Sequence, residues 1–122
     1  MTGAKIWMAP GDCLSIPREP RVEKLAMLAP PVECFAAPGA LDEVTLPLFL
    51  RSGGRDKITP PGSHREFLRA LPECVEVDYQ VVAEAGHFSF MDKFPPGETE
   101  TLPDGPGYRA QLVAEILDFA HL

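Results

Sequence analysis

Leu46-Pro47-Leu48-Phe49-Leu50-Arg51-Ser52-Gly53-Gly54-Arg55-Asp56-Lys57-Ile58-Thr59-Pro60-Pro61 decides how this 122-residue chain folds. From Leu46 to Leu50 the run is continuously apolar, as expected of a strand covered on both faces, and Pro47 is tolerated near its start. The glycines that follow Arg51 open a loop that carries Asp56 and ends at Pro60-Pro61. A buried strand leading into a Gly-rich loop with an acid is the layout of a site at the carboxyl end of a parallel sheet.

Toward the C-terminus, Ser63-His64-Arg65-Glu66 fits a capping box, in which a Ser hydroxyl and a Glu carboxylate satisfy each other's backbone amides. Phe67, Leu68 and Leu71 then form one stripe and Pro72 stops the helix. Val75 to Val82 alternates Val75, Val77, Tyr79 and Val81 with Glu76, Asp78 and Gln80, which predicts a strand with one wetter face near a sheet edge. Ala85-Gly86-His87-Phe88 follows it. The stretch from Phe94 to Gly107 holds Pro95-Pro96 and Pro103, with Gly and acids between them, and reads as an irregular loop. A final helix is expected over Tyr108 to Ala120, with Leu112, Val113, Ile116, Leu117 and Ala120 on one face.

Toward the N-terminus, Val22 to Leu28 reads as a strand ended by Pro30-Pro31. A loop crosses Cys34 to Gly39, and Ala40 to Val44 suits a single helical turn. Residues 1–20 carry several breakers and little periodicity, so they read as an irregular arm, with Ile6 and Trp7 as its anchors. Two regions result: the arm at 1–20 and an α/β domain at 21–122. Strand, helix, strand and helix in succession call for a small parallel sheet of about three strands, flanked by helices and joined by right-handed crossovers. Asp56 and His87 both fall beyond carboxyl ends of its strands. The strand at Val22 to Leu28 is left with one unpaired edge, which invites pairing with another chain. A homo-oligomer covering that edge is the expectation.

The formal net charge is -7, with acids and bases mixed along the chain. That balance argues against nucleic acid or an anionic membrane as partner, since both need a basic patch. No apolar run approaches a membrane span, and the first ten residues lack the basic start and apolar centre of a signal peptide. A cytoplasmic location is the default expectation. Cys13, Cys34 and Cys74 are odd in number and lack metal-type spacing, the pattern of reduced thiols. Asp56, His87 and Asp92 form no clustered ligand pattern, so neither metal nor cofactor is expected. His64, at a helix start, and His121, at the chain end, are expected in solvent.

On these residues the chain resembles the C-terminal half of an α/β-hydrolase, in its dienelactone-hydrolase-like and lipase-like branch. The likeness rests on Gly53 to Pro60 around Asp56, on Ala85 to Phe88 around His87, and on the strands before each. It runs from near Pro20 to the last helix. The resemblance implies that Asp56 is the acid and His87 the base of a nucleophile-His-acid triad. It also implies an earlier Gly-x-Ser-x-Gly or Gly-x-Cys-x-Gly elbow, and none stands before Asp56. Ser15 and Cys34 lack the flanking glycines, so the elbow would lie upstream of Met1. Cys34, Phe88 and Phe90 are the candidate substrate-binding residues, with Met91 and Phe94 nearby, although apolar residues after a strand more often belong to a core.

The expectation is therefore a hydrolase-like partial domain that is not competent alone. Two other readings stay open. One is an ester or lactone hydrolase completed by a separate N-terminal half, or by a symmetry mate offering Ser15, Cys34 or Cys13. The other is an oligomeric module that binds a small molecule near Asp56 and His87.

Overall fold

In the computed structural model, residues 4–9 and 12–121 are described. Three parallel strands, β3 (Leu25–Leu28), β4 (Leu48–Gly53) and β5 (Val77–Val82), form a sheet in the order β3-β4-β5. β4 is the central strand, and all six of its residues are buried. Leu48 pairs with Leu25 on one side and Val77 on the other, and Leu50 pairs likewise with Met27 and Tyr79. This is the three-strand α/β sheet that the apolar run predicts. The strands begin two or three residues later than their sequence pattern suggests.

Successive side chains of β4 point to opposite faces. Leu48 and Leu50 join Val32, Leu41, Val44, Phe67, Leu71 and Val75 in the main core. Phe49, on the other face, sits 5.6 Å from the Phe119 ring. Leu48, Phe49 and Leu50 are fully buried, and each such side chain contributes about 1.5–3 kcal/mol. Helix α1 (Pro61–Arg69) covers the first face and helix α2 (Gly105–Ala120) the second. No helix among the described residues is long and apolar enough to cross a membrane.

Three local expectations need correction. Residues 5–15 are not irregular: β1 (Lys5–Ala9) and β2 (Asp12–Ser15) pair antiparallel, with a register shift between Trp7 and Ala9. This pair is tied to the domain by Ala4, buried in the main core, and by the bond from Lys5 N to Ala40 O at 2.9 Å, while Ile16 N donates to Ala4 O at 3.0 Å and continues the pairing of the two strands.

The capping box at Ser63 does not form, because the helix starts earlier. Pro60 is the N-cap and Pro61 the first helical residue, while Ser63 Oγ donates to Pro60 O at 2.9 Å. Proline suits that first position, since its missing N–H would have no partner there and its φ is already helical. The last helix also starts earlier than Tyr108. Asp104 caps it by accepting from Gly107 N at 3.0 Å, and Pro106 stands in its first turn.

Candidate functional site

Two loops leave the carboxyl end of the sheet side by side, one after β4 and one after β5. Gly54 N donates to Val82 O and Arg55 N to Ala85 O, each at 2.9 Å. A Cβ on Gly53 would stand 2.6 Å from Ala85 O, and one on Gly54 would strike Ala83. Only glycine lets the two backbones come this close. Arg55 and Glu84 add an ion pair across the same seam. The paired glycines therefore fix the distance between the segment bearing Asp56 and the segment bearing His87.

Asp56 is 4% exposed and accepts four hydrogen bonds. Its Oδ1 takes the amides of Ile58 and Thr59, both at 2.8 Å. Its Oδ2 takes Thr59 Oγ1 at 2.9 Å and His87 Nδ1 at 2.8 Å. Burial alone would raise the carboxyl pKa. The bonds from the Thr59 amide, His87, the Thr59 hydroxyl and the Ile58 amide outweigh it, so the pKa lies below the ordinary Asp value. A carboxylate held in this way only accepts, which assigns the proton of a neutral His87 ring to Nδ1.

The His87 side chain is 25% exposed. Among the described residues its hydrogen bonds all fall on Nδ1, leaving Nε2 as the ring's proton acceptor. Its ring meets Phe88 edge-on at 5.0 Å. It lines an open cavity of about 330 Å³ together with Ile58, Phe88, Phe94, Lys57 and Thr101. No metal-binding group of three or more His, Cys, Asp or Glu occurs among the described residues.

The other candidates go elsewhere. Cys34 lies in a 3-10 turn (Glu33–Phe35), its Sγ 3.9 Å from Pro31 O, and does not line the cavity. Phe90 packs edge-on against Tyr108 at 6.1 Å, away from His87. Met91 is half exposed, and Asp92 pairs with Arg109 Nε at 3.3 Å. Of the apolar residues after His87, Phe88 and Phe94 reach the cavity. The side chains of Cys13 and Ser15 lie outside the described residues.

His64 overturns its expectation of solvent, since it is 0% exposed. α1 begins at Pro61, which turns position 64 inward onto the sheet. Its Nδ1 is 2.5 Å from Ser52 Oγ and its Nε2 2.8 Å from Pro30 O. A carbonyl only accepts, so Nε2 carries the proton and Ser52 donates to Nδ1. Tyr79 Oη lies 3.2 Å from the same Ser52 oxygen.

Sequence reasoning also passed over Thr59. Its Oγ1, which donates to Asp56, lies 3.1 Å from His87 Nδ1 and 3.1 Å from Ala29 O, so it stands between the acid and the end of β3. Ala29 itself has φ +45°, a left-handed backbone that L-residues seldom adopt. The signal for Thr59 was present in the sequence: a Thr three residues after an Asp in a loop is placed to close an Asx-type turn.

No protein-family profile matches the chain, and no curated protein does. Among solved structures it resembles an alpha-beta serine hydrolase homologue from Coxiella burnetii, with a TM-score of 0.51 and 21% sequence identity. The match covers 84% of this chain and 40% of that one. The likeness is one of fold: the small parallel α/β sheet of this chain is similar to part of that structure. This chain therefore spans well under half the length of the hydrolase homologue it resembles.

Proposed function

We propose that Asp56 and His87 are the acid and base of an acyl-transfer site whose nucleophile comes from outside residues 4–121, so that the chain alone is not a working hydrolase. The 2.8 Å bond from His87 Nδ1 to a buried, multiply bonded Asp56 carries this reading. It leaves Nε2 basic and facing a space where a hydroxyl or thiol can stand. In a completed site His87 Nε2 takes the nucleophile's proton as its oxygen or sulfur bonds to the ester carbonyl carbon. When the carbon–oxygen bond to the leaving group breaks, that proton passes to the leaving alcohol. Water, deprotonated by the same nitrogen, then releases the acid and restores the nucleophile. Asp56 keeps its charge throughout, holding the tautomer and stabilising the imidazolium.

The purified chain tests this directly. A fluorophosphonate reagent should label none of its residues, and p-nitrophenyl acetate should turn over no faster than with His87→Ala. Nitrogen NMR should place the neutral ring's proton on Nδ1, and Asp56→Asn should move it to Nε2. Stoichiometric labelling of a Ser or Cys in this chain, or a wild-type proton on Nε2, would overturn the reading.

A further inference from the structure

The loop that carries His87 is held by side chains as well as by its own backbone. Among the described residues Gly86 N meets no backbone acceptor and donates instead to two hydroxyls, Ser89 Oγ and Thr101 Oγ1, each at 3.0 Å. A hydroxyl keeps a lone pair turned toward such a donor when its own proton is held elsewhere. Thr101 Oγ1 donates to Glu84 O at 2.6 Å. Ser89, 2% exposed, donates to Glu100 Oε1 at 3.0 Å. Thr101 Oγ1 lies 3.3 Å from Ser89 Oγ, close enough to take the Ser89 proton if Glu100 did not.

Glu100 is itself fixed from several sides. Its Oε1 also takes the amides of Thr101 at 3.0 Å and Leu102 at 3.1 Å. Its Oε2 takes Arg109 Nη1 of α2 at 2.5 Å, and the same nitrogen donates to Ser89 O at 3.0 Å. Burial raises the Glu100 pKa, but the bonds from Arg109, the Leu102 amide, Ser89 and the Thr101 amide outweigh it, so the pKa lies below the ordinary Glu value. The group is therefore a carboxylate at neutral pH and only accepts. Helix α2 leaves room for it. Gly105 is the first residue of that helix, and a Cβ there would strike the Glu100 carboxylate and the Arg109 guanidinium that holds it.

From this arrangement we infer that Glu100 is a positioning residue for His87: its carboxylate joins Ser89, Thr101 and Arg109 into one clamp on the backbone at both sides of His87. This inference rests on the triad reading above and adds a residue to it. Asp56 sets the tautomer of the ring, while Glu100 holds the peptide from which the ring projects. Without the carboxylate, the Ser89 proton turns to Thr101 Oγ1, the amides of Thr101 and Leu102 lose their acceptor, and Arg109 loses its tie to the segment before α2. Gly86 N then faces hydroxyls that no longer hold still, and the 2.8 Å bond from His87 to Asp56 loses its fixed origin. Thr101 also lines the cavity beside His87, so one wall of that cavity loosens in the same event.

NMR on the purified chain tests this through two signals, hydrogen exchange at the Gly86 amide and the ring proton of His87. Glu100→Ala should speed Gly86 exchange by about 10- to 100-fold and lose the His87 ring proton to water, with the β4 amides unchanged. Glu100→Gln can keep its oxygen toward Ser89, Thr101 and Leu102, so it should retain both signals. Gly105→Ala favours the helix but drives the carboxylate from its place. It should loosen the loop as Glu100→Ala does while α2 stays as protected as in wild type. Val44→Ala, a change in the main core, should lower the urea midpoint and move neither signal. Wild-type Gly86 exchange in either Glu100→Ala or Gly105→Ala would overturn the clamp. So would a loss in Glu100→Gln as large as in Glu100→Ala, or the same loosening in Val44→Ala. A wild-type ring proton on Nε2 would end the triad reading, and Gly86 exchange in the same variants would still decide whether Glu100 holds the loop.

Discussion

Asp56 shows how a single side chain is set for chemistry and for stability at once. Its pKa is held below the ordinary Asp value despite burial. The unfolded state therefore takes up a proton at higher pH than the folded state does. The stabilisation is complete above the unfolded value of about 4 and is lost as pH falls through the lower folded value. Wild-type urea midpoints should drop over that interval, and Asp56→Asn should remove this part of the drop. A variant curve parallel to wild type from pH 7 to pH 2 would contradict it. A second residue makes the opposite case. Tyr108 Oη is buried without a partner among the described residues, and burial pushes its pKa up to about 12, with Glu115 adding to the rise and Arg51 opposing it. A hydroxyl that desolvates without bonding costs about 1–3 kcal/mol. Tyr108→Phe should therefore keep or raise the melting temperature, and a clear loss would reveal a bond from a bound water.

At the scale of elements, two contacts hold the layers in place. Arg51 is 4% exposed in the middle of β4, 3.7 Å from the Phe49 ring, with Asp78 of β5 at 2.9 Å and Glu115 of α2 at 3.0 Å. Burial works against its charge, but the two carboxylates more than restore it. Removing one partner from a buried pair costs about 3–5 kcal/mol. The Asp78 side chain is 55% exposed and regains water, so Arg51→Ala should cost about 2–3 kcal/mol, less than a fully buried pair would. Arg51→Met, which replaces the charge with an apolar side chain of similar reach beside Phe49, should cost less, and urea melts of both variants decide it. The second contact is the glycine seam. Gly53→Ala would press a Cβ against the Ala85 carbonyl, costing about 1–3 kcal/mol and displacing His87 from Asp56 in NMR spectra.

These contacts also show what the sequence could reveal. The strands, their parallel arrangement and the Asp56 and His87 loops follow from apolar runs and glycine placement, both local signals. Arg51 as a buried tie, His64 as a core residue and the β1-β2 pair depend on which face or partner a residue meets. Those relations are fixed only by the helix starting at Pro61 and by contacts far along the chain.

At the scale of the molecule, the site and the N-terminal pair draw on different parts of the structure. Ala4 fills the main core beside Val32, Leu41 and Val44, and β1 is joined to the turn at Ala40 by its backbone. Asp56 and His87 depend instead on β4, β5 and the glycine seam between their loops. Among the described residues no hydrogen bond joins the two regions directly, so their failures should separate. Deleting residues 1–16 uncovers part of three buried aliphatic side chains, each contributing about 1.5–3 kcal/mol when fully buried. A fall of about 2–4 kcal/mol in unfolding free energy is expected, since much of each side chain stays covered by α1 and the sheet. Any fraction that remains folded should still show the Nδ1 proton of His87 bonded to Asp56. Urea denaturation measures the first effect and nitrogen NMR the second. Loss of the His87 bond in a truncated chain that remains folded would mean that the N-terminal pair supports the site itself, through Ala29 and the turn at Pro30.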